Sequence, residues 1–277
     1  MKKNKVFAQF SVYFILICGT VFALFPFYWM LRTALVGTDS IFEVTPTFIP
    51  KQLEFHNFLD ALQAQPFGRF FLNSGIVTVA NIVGVLLTSS LCAYGFSRID
   101  WPGRDKVFGV MLTALMLPFA VVMIPQFIGW RTLHLTDTLA PLILPAFFGG
   151  GLFNIFLLRQ FFMGIPRDLD EAAYMDGANH FTVYSRIILP LSSQSLIVVG
   201  LFTFLNNWND YLGPMIYLSS EKNYTLMLGL TLFQGAYSSQ WNLMMAAVSI
   251  VVLPSLIIFL FAQRYFIQGI AMTGVKG

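Results

Sequence analysis

Polar side chains at helical spacing inside an apolar stretch are the first candidates for chemistry in this sequence. Asn209, Asp210 and Gly213 lie three, four and seven residues after Asn206, which places all four on one face of a helix. An acidic residue within such a stretch is a candidate functional residue, because its charge is costly away from water. Each hydroxyl of a polyol needs a donor or an acceptor once it leaves water, and hydroxyl and amide groups supply both. We therefore predict a path for a neutral polyol along Asn206, Asn209 and Asp210.

A second set of polar residues shares one face of an earlier apolar stretch and consists of Ser74, Thr78, Asn81 and Thr88. Asn154 follows a run of three glycines in another such stretch. We predict that Asn81 and Asn154 also lie on the path. Hydrogen bonds between helices, worth about 0.6–2 kcal/mol each, are the alternative, and they explain Ser74, Thr78 and Thr88 better than solute contact does.

Residues that could perform catalysis are scattered along the chain. His56, His134 and His180 fall in separate loops, and Cys18 and Cys92 lie inside apolar runs, where a thiol packs as a small hydrophobic group. The sequence contains no GxxxxGK[ST] phosphate-binding loop. We therefore predict no catalytic site, no metal site and no disulfide, and an activity that depends on a partner for its energy.

One polar segment, residues 164–190, interrupts the apolar stretches and reads GIPRDLDEAAYMDGANHFTVYSRIILP. The spacing of Asp168 and Glu171 is that of a capping box, which predicts a helix start at Asp168. Gly177 can adopt a positive φ and so end that helix. A second short helix should follow, with Phe181 and Tyr184 near one face. The two helices would form a rigid projection that could transmit the movement of a soluble partner to the membrane-spanning helices. The alternative is an amphipathic loop that lies on the lipid headgroups.

The residues of this segment resemble the signature loop of ABC importer permeases. The matching positions are Glu171, Ala172, Ala173, Asp176, Gly177, Ala178, Ile187, Leu189 and Pro190, and Tyr184 stands where the family usually has Phe. The exchange keeps an aromatic ring. The resemblance implies that this loop couples the chain to ATPase subunits through the residues Glu171, Ala172, Ala173, Asp176, Gly177, Ala178, Tyr184 and Pro190.

Three other segments are similar to the maltose-transporter-type branch of sugar permeases: residues 93–104 (AYGFSRIDWPGR), 208–214 (WNDYLGP) and the chain end from Gln263. The resemblance implies a second permease chain, most simply in a heterodimer, two cytoplasmic ATPase subunits that bind ATP and Mg, and an external solute-binding protein. It also implies a sugar or oligosaccharide as the solute. A polyol phosphate such as glycerol-3-phosphate is the alternative, because related permeases resemble one another.

The polar side chains described above would be positioned by helices that cross a membrane. The sequence is 57% hydrophobic and 10% charged, with a mean hydropathy of +0.72, whereas soluble domains carry about 25% charged residues. A span needs roughly 20 apolar residues, and six stretches qualify: 9–31, 70–96, 106–128, 139–162, 191–217 and 242–263. A β-barrel would need alternating segments of about ten residues. We therefore predict an all-α protein with six transmembrane helices in a single domain, 1–277. The resemblance implies that the membrane is the bacterial inner membrane.

Basic residues indicate the orientation of these spans. With the N-terminus inside, 11 Lys and Arg residues fall on the cytoplasmic side and 5 on the other, as the positive-inside rule requires. The apolar run after Lys5 continues through Met30, longer than the core of a signal peptide, and is interpreted as a retained first span. Both termini are predicted to be cytoplasmic. The end of the chain, 265–277, would then either contact the ATPases or be a loose terminus.

Prolines and glycines interrupt the predicted third and fourth spans. Pro118 and Pro125 lie in the third, whereas Pro141, Pro145 and the run Gly149-Gly150-Gly151 lie in the fourth. Freed backbone groups in a membrane must be satisfied by protein or water. Close helix packing would explain any one of these residues, but together they favour helices that bend around a path.

Two other classes compete with an ABC permease. An ion-coupled secondary transporter should show inverted repeats and buried carboxylates, yet Asp210 is the one acidic residue that we place within a span and no repeat is visible. A membrane-embedded enzyme would need a catalytic set of residues, and the sequence offers none.

Overall fold

The structure is a computed structural model that describes residues 2–38, 41, 47–234 and 240–274; the side chains of 2–8 and 264–274 lie outside the description. The described residues form helices and no extended strand, which confirms the all-α prediction. The helices are α1 Lys2–Ala34, α2 His56–Ala64, α3 Phe67–Ser97, α4 Arg104–Thr113, α5 Phe119–Thr132, α6 Ala140–Ile143, α7 Leu152–Met163, α8 Asp168–Met175, α9 His180–Val183, α10 Leu189–Leu191, α11 Ser193–Trp208, α12 Leu212–Tyr217, α13 Leu226–Gly229 and α14 Trp241–Gly274. Single 3-10 turns occupy Ala114–Met116, Leu144–Phe147, Glu221–Asn223 and Leu230–Phe233, and a π turn occupies Tyr184–Ile188. The proposed contact of residues 265–277 with ATPases lies outside the described side chains.

Four of the six predicted spans are present as apolar helical segments that do not bend sharply. Within the described ranges, four segments are long and apolar enough to cross a membrane without a sharp bend: Gln9–Ala34, Phe67–Ser97, Ala140–Met163 and Trp241–Gln263. Two further pairs of helices qualify only together, Arg104–Met116 with Phe119–Thr132 and His180–Leu191 with Ser193–Trp208. Six spans therefore result if each bent pair counts as one.

The chain forms two compact units, Met1–Phe67 with Leu230–Leu253 and Gly68–Gly229 with Pro254–Gly277. In the first unit, a buried asparagine holds the segments together. Asn57 Nδ2 donates to the carbonyls of Ala34 (2.9 Å) and Val36 (3.0 Å), and Asn57 Oδ1 accepts from Asn242 Nδ2 at 3.3 Å. These bonds connect the end of α1, the start of α2 and the start of α14.

The third predicted span, 106–128, is not one helix, which corrects the sequence prediction. Its two halves meet at Leu117 and Pro118 with a bend of 96°. Proline has no N–H and disfavours helical backbone at the residue before it, and Leu117 accordingly has an extended ψ of 117°. Pro118 precedes α5, whereas Pro125 lies inside it. The bend turns α5 away from α4.

The fourth span is interrupted at the glycine run, and the interruption packs closely against α3. Gly149, Gly150 and Gly151 all have positive φ, at 116°, 64° and 84°. A Cβ atom on Gly150 would lie 2.7 Å from Thr88 Oγ1 and 2.8 Å from the Val85 carbonyl oxygen. The glycine therefore provides both an unusual backbone conformation and a close approach to α3.

The fifth span ends earlier than predicted. Its helix α11 stops at Trp208, and α12 begins at Leu212 rather than continuing the same helix to Tyr217. Asp210 lies in the break, where its Oδ1 accepts the Gly213 N–H at 3.1 Å. Short acidic side chains offer the backbone such alternatives to helical hydrogen bonds. The break separates Asp210 from the regular face on which we placed it.

The apolar core of the second unit packs against one side of the polar segment identified in the sequence. Its fully buried members include Leu158 and Phe162 of α7 together with Val183 and Ile188, which follow α8. Phe108 of α4 and Tyr94 of α3 also belong to this cluster. The segment 168–191 is thus anchored in the core on one side.

Candidate functional site

The segment 168–191 folds as two short helices joined by a tight turn, and we call it the polar projection. Helix α8 starts at Asp168, as predicted. The prediction of a capping box is wrong, because Arg167 occupies the N-cap position and no side chain caps the helix. Asp168, Asp170 and Glu171 instead fall in the first turn, where acidic groups interact favourably with the helix dipole.

The turn of the projection is built on Gly177, whose φ is +83° as predicted. Its N–H donates to the Tyr174 carbonyl at 3.0 Å, and the Ala178 N–H donates to the Ala173 carbonyl at 2.9 Å. This pair of bonds is the Schellman motif that ends many helices. A residue not foreseen from the sequence starts α9: Asn179 Oδ1 accepts the Thr182 N–H at 2.9 Å.

The predicted coupling residues divide between two faces of the projection. Ala173, Ala178 and Tyr184 face the core, and the Tyr184 hydroxyl lies 2.7 Å from Ser90 Oγ of α3. The remaining residues are exposed: Glu171, Ala172, Asp176, Gly177 and Pro190. Their role in coupling stays a prediction.

A buried ion pair fastens the projection to α3. Arg98 Nη1 lies 3.1 Å from Asp170 Oδ2, and the two side chains are 1% and 8% exposed. Arg98 Nη2 also donates to the carbonyls of Phe162 and, at 2.7 Å, Ile165. Both residues belong to segments that were identified in the sequence, but 72 positions separate them. Their spacing therefore did not predict the ion pair.

A second, more exposed set of ion pairs surrounds the buried one. Asp100 accepts from Arg104 at 2.6 Å and from Arg167 at 3.0 Å. The Arg167 guanidinium holds the pKa of the Asp100 carboxyl below its usual value. Arg159 bonds Asp105 at 2.8 Å and the Phe96 carbonyl at 3.0 Å. The loop 98–105 and the base of the projection are therefore held together electrostatically.

The five residues predicted on the solute path do not share one site. Asn206 and Asn209 are exposed, and Asn209 donates to Leu205 of its own helix at 2.8 Å. Asn81 is buried and donates to the Leu142 carbonyl at 2.9 Å, and Asn154 donates to the Gly150 carbonyl at 2.8 Å. These two amides bind the backbone of the interrupted fourth span. Their contact with solute stays a prediction.

Asp210 is the member of this set that lines a cavity. The cavity, of about 380 Å³, lies between α5, α6 and α12, and ligand sites typically measure about 300–1,000 Å³. Gln126 and Tyr217 line it with Asp210, and the Tyr217 hydroxyl lies 3.5 Å from Gln126 Oε1. Phe119 and Trp130 add aromatic rings. Gln126 was missed, although a lone polar residue in the apolar run of α5 was the available signal.

Asp137 was also missed, and it joins the loop before α6 to the segment after α12. Its Oδ1 accepts the N–H groups of Ser219 (2.9 Å) and Ser220 (2.8 Å), and its Oδ2 accepts from the Ser220 hydroxyl. Its own N–H donates to the Tyr217 carbonyl at 2.8 Å. These bonds, the one from the Ser220 hydroxyl above all, hold the pKa of the Asp137 carboxyl well below its usual range.

We expect Asp137→Ala to release the 219–223 segment, because two backbone N–H groups and a hydroxyl would lose their acceptor. Hydrogen exchange at Ser219 and Ser220 should become at least tenfold faster, which corresponds to about 1.4 kcal/mol. A depressed pKa means that the carboxylate contributes its stability above the unfolded pKa of about 3.9 and loses it below. The wild type should therefore show no loosening of this segment between pH 8 and 5. Equal exchange in Asp137→Ala and a Glu221→Gln control would contradict this role.

Comparison with known proteins gives a consistent result over nearly the whole chain. Residues 80–272 match the family described as binding-protein-dependent transport system inner membrane component. The chain is 33% identical over 278 residues to the arabinooligosaccharides transport system permease protein AraQ of Bacillus subtilis, covering 97% of this chain and 98% of that protein. It is 32% identical to the diacetylchitobiose uptake system permease protein DasC of Streptomyces coelicolor, covering 91% and 92%. It is 33% identical to the sn-glycerol-3-phosphate transport system permease protein UgpE of Pectobacterium atrosepticum, covering 92% and 93%.

A solved structure has the same fold. A chain of a bacterial ABC transporter involved in the import of the acidic polysaccharide alginate superposes with a TM-score of 0.83 at 23% identity, covering 96% of this chain and 98% of that one. At this identity the match concerns the fold alone.

Proposed function

Since this chain belongs to the family of binding-protein-dependent transport system inner membrane components, we propose that it forms, with a second permease chain, the translocation path of an ATP-driven saccharide importer. The chain is an inner-membrane ABC permease. Its proposed partners are two cytoplasmic ATPase subunits and an external solute-binding protein. ATP and Mg would be bound by the ATPase subunits, because this sequence has no phosphate-binding loop.

The polar projection is the observation that carries this proposal. Its inner side is fixed to the core by Ala173, Ala178 and Tyr184 and to α3 by the Arg98–Asp170 pair. A displacement of its outer side therefore moves α3 and α7 as well, because close-packed protein interiors transmit strain. This is the mechanical property that coupling to an ATPase requires.

The outer surface of the projection has the chemistry of a protein contact. Met175 is 88% exposed and Phe181 is 69% exposed, and Tyr174 and Leu169 are exposed beside them. Apolar and aromatic side chains are enriched in the buried centres of protein interfaces. The acidic Glu171 and Asp176 lie on the same exposed surface. We assign the ATPase contact to this surface, on the side that carries the excess of Lys and Arg, with both termini cytoplasmic.

The solute is proposed to be an oligosaccharide. Two of the relatives are named for arabinooligosaccharides and diacetylchitobiose, and the cavity beside Asp210 combines aromatic rings with hydrogen-bonding groups. A polyol phosphate is the second candidate, because one relative is named for sn-glycerol-3-phosphate.

Reconstitution of the complete complex into proteoliposomes tests this function. Uptake of a labelled oligosaccharide should require the solute-binding protein outside and ATP on the ATPase side, and it should stop with an ATPase-inactive partner. Uptake that an ion gradient drives without the ATPase subunits would overturn the proposal.

Gly177→Val should uncouple ATP hydrolysis from uptake while the protein still inserts into the membrane. A β-branched residue at φ +83° is strained by about 1–3 kcal/mol, although a Cβ atom there meets no neighbour within 4 Å. The expected result is therefore a distorted turn between α8 and α9 rather than a disrupted core. Gly177→Asn is the matched control, because asparagine tolerates this backbone region far better. Normal uptake by Gly177→Val would show that the turn has no part in coupling.

A further inference from the structure

We propose that the cavity lined by Asp210, Gln126 and Tyr217 is a solute-contact site that accepts a neutral saccharide and disfavours anionic solutes. This inference rests on the proposed function and specifies its substrate class. If it is correct, uronates and polyol phosphates are not solutes of this chain.

The hydrogen-bonding groups of the cavity suit hydroxyl groups. Asp210 Oδ1 accepts the Gly213 N–H at 3.1 Å, and a carboxylate can accept about four hydrogen bonds in all. The Gln126 side chain accepts from Tyr217 at 3.5 Å, which leaves its NH₂ group as a donor. Acceptors and donors therefore line the same cavity of about 380 Å³.

The aromatic residues supply the apolar part of the site. Phe119, Trp130 and Tyr217 contribute rings to the cavity wall. A pyranose or furanose ring carries C–H groups on its faces and hydroxyl groups at its edge. Aromatic walls with a few placed polar groups are the usual composition of a site for such a molecule.

The charge of the cavity gives it selectivity. Asp210 is the only charged residue among those that line it, and it makes no ion pair among the described residues. Arg131 follows Trp130 in α5 but is exposed and lies outside the cavity lining. A carboxylate without a cation repels another anion strongly where water is scarce. A neutral solute escapes this repulsion and gains a strong acceptor.

The bond from Gly213 offers a purely structural role for Asp210, namely holding the start of α12. Asparagine has the same acceptor oxygen, so Asp210→Asn keeps this bond and removes only the charge. Asp210→Glu keeps the charge. The two variants therefore separate selectivity from folding.

The test uses a thiol at Leu142→Cys, a position that also lines the cavity, in the complete reconstituted complex, with Cys18→Ser and Cys92→Ser in the background. Its reaction rates with a cationic and an anionic methanethiosulfonate of similar size are compared. Asp210→Asn should lower the cationic-to-anionic rate ratio at least threefold, whereas Asp210→Glu and the exposed control Glu221→Gln should leave it unchanged. An unchanged ratio in Asp210→Asn would overturn the proposal.

Protection by solutes completes the test. Millimolar maltotriose should slow modification of the thiol at Leu142→Cys, and trigalacturonate should do so only when Asp210→Asn is present. Equal protection by both sugars, or protection by neither, would overturn the proposed site. ATP-dependent uptake is measured in parallel on the wild type, so that failure of this site is distinguishable from failure of the importer function.

Discussion

Arg98→Leu should lower the free energy of unfolding by about 3–5 kcal/mol, because it leaves the Asp170 carboxylate buried without its partner. The Asp170 side chain is 8% exposed, so water cannot replace the lost guanidinium without opening the structure. The carbonyls of Phe162 and Ile165 would lose a donor as well. Since these bonds join α3, α7 and α8, the variant should lose both stability and ATPase coupling.

Thermal unfolding of the purified protein measures the loss, and two variants interpret it. Arg167→Gln breaks a pair with Asp100 in which both side chains are more than half exposed, and such surface pairs contribute little to stability. The double variant Arg98→Met with Asp170→Leu should recover much of the stability, because apolar replacement of a buried pair is often neutral. Arg98 Nε and Asp170 Oδ1 are buried without hydrogen-bond partners. The double variant removes these unpaired polar atoms, which should increase the stability that it recovers. Equal small losses in Arg98→Leu and Arg167→Gln would contradict the role of the buried pair.

Gly150→Ala should be the most damaging substitution in the glycine run. The new methyl group would lie 2.8 Å from the Val85 carbonyl oxygen and 2.9 Å from Ser89 Cβ, and the φ of +64° is itself unfavourable for alanine. Overpacking of this kind costs about 1–3 kcal/mol. The fourth span would have to move away from α3, and the bonds from Thr88 to Ala146 (2.9 Å) and from Asn81 to Leu142 (2.9 Å) would stretch.

Gly149→Ala is the matched control, because it has a positive φ of 116° but a Cβ atom there meets nothing within 4 Å. Both variants carry backbone strain, and only Gly150→Ala adds the close contact. Unfolding temperature and ATP-driven uptake should fall further in Gly150→Ala than in Gly149→Ala. The opposite order would show that backbone conformation, not the approach to α3, decides the role of this run.

The candidate site was predictable where local chemistry decides the structure. The start of α8 at Asp168 and the positive φ of Gly177 follow from residues within a few positions of one another. The capping box failed, because Arg167 occupies the N-cap position without a side-chain bond. The pairing of Arg98 with Asp170 and of Asp137 with Ser220 depends on residues more than 70 positions apart, which no local spacing can reveal.

The sequence by itself determined the membrane class, the helical fold and the place of the polar projection along the chain, because a bilayer requires long apolar helices and a polar segment must lie outside them. Tertiary structure alone decided how far the third span bends, where the fifth span breaks and which polar groups meet. Pro118 indicated the place of a kink, but not that its angle would be 96°. Asn81 and Asn154 bind backbone carbonyls, whereas Asp210 lines a cavity with Gln126 and Tyr217. The physical reason is that a buried polar group must find a partner, and only the folded chain determines which partners are within hydrogen-bonding distance.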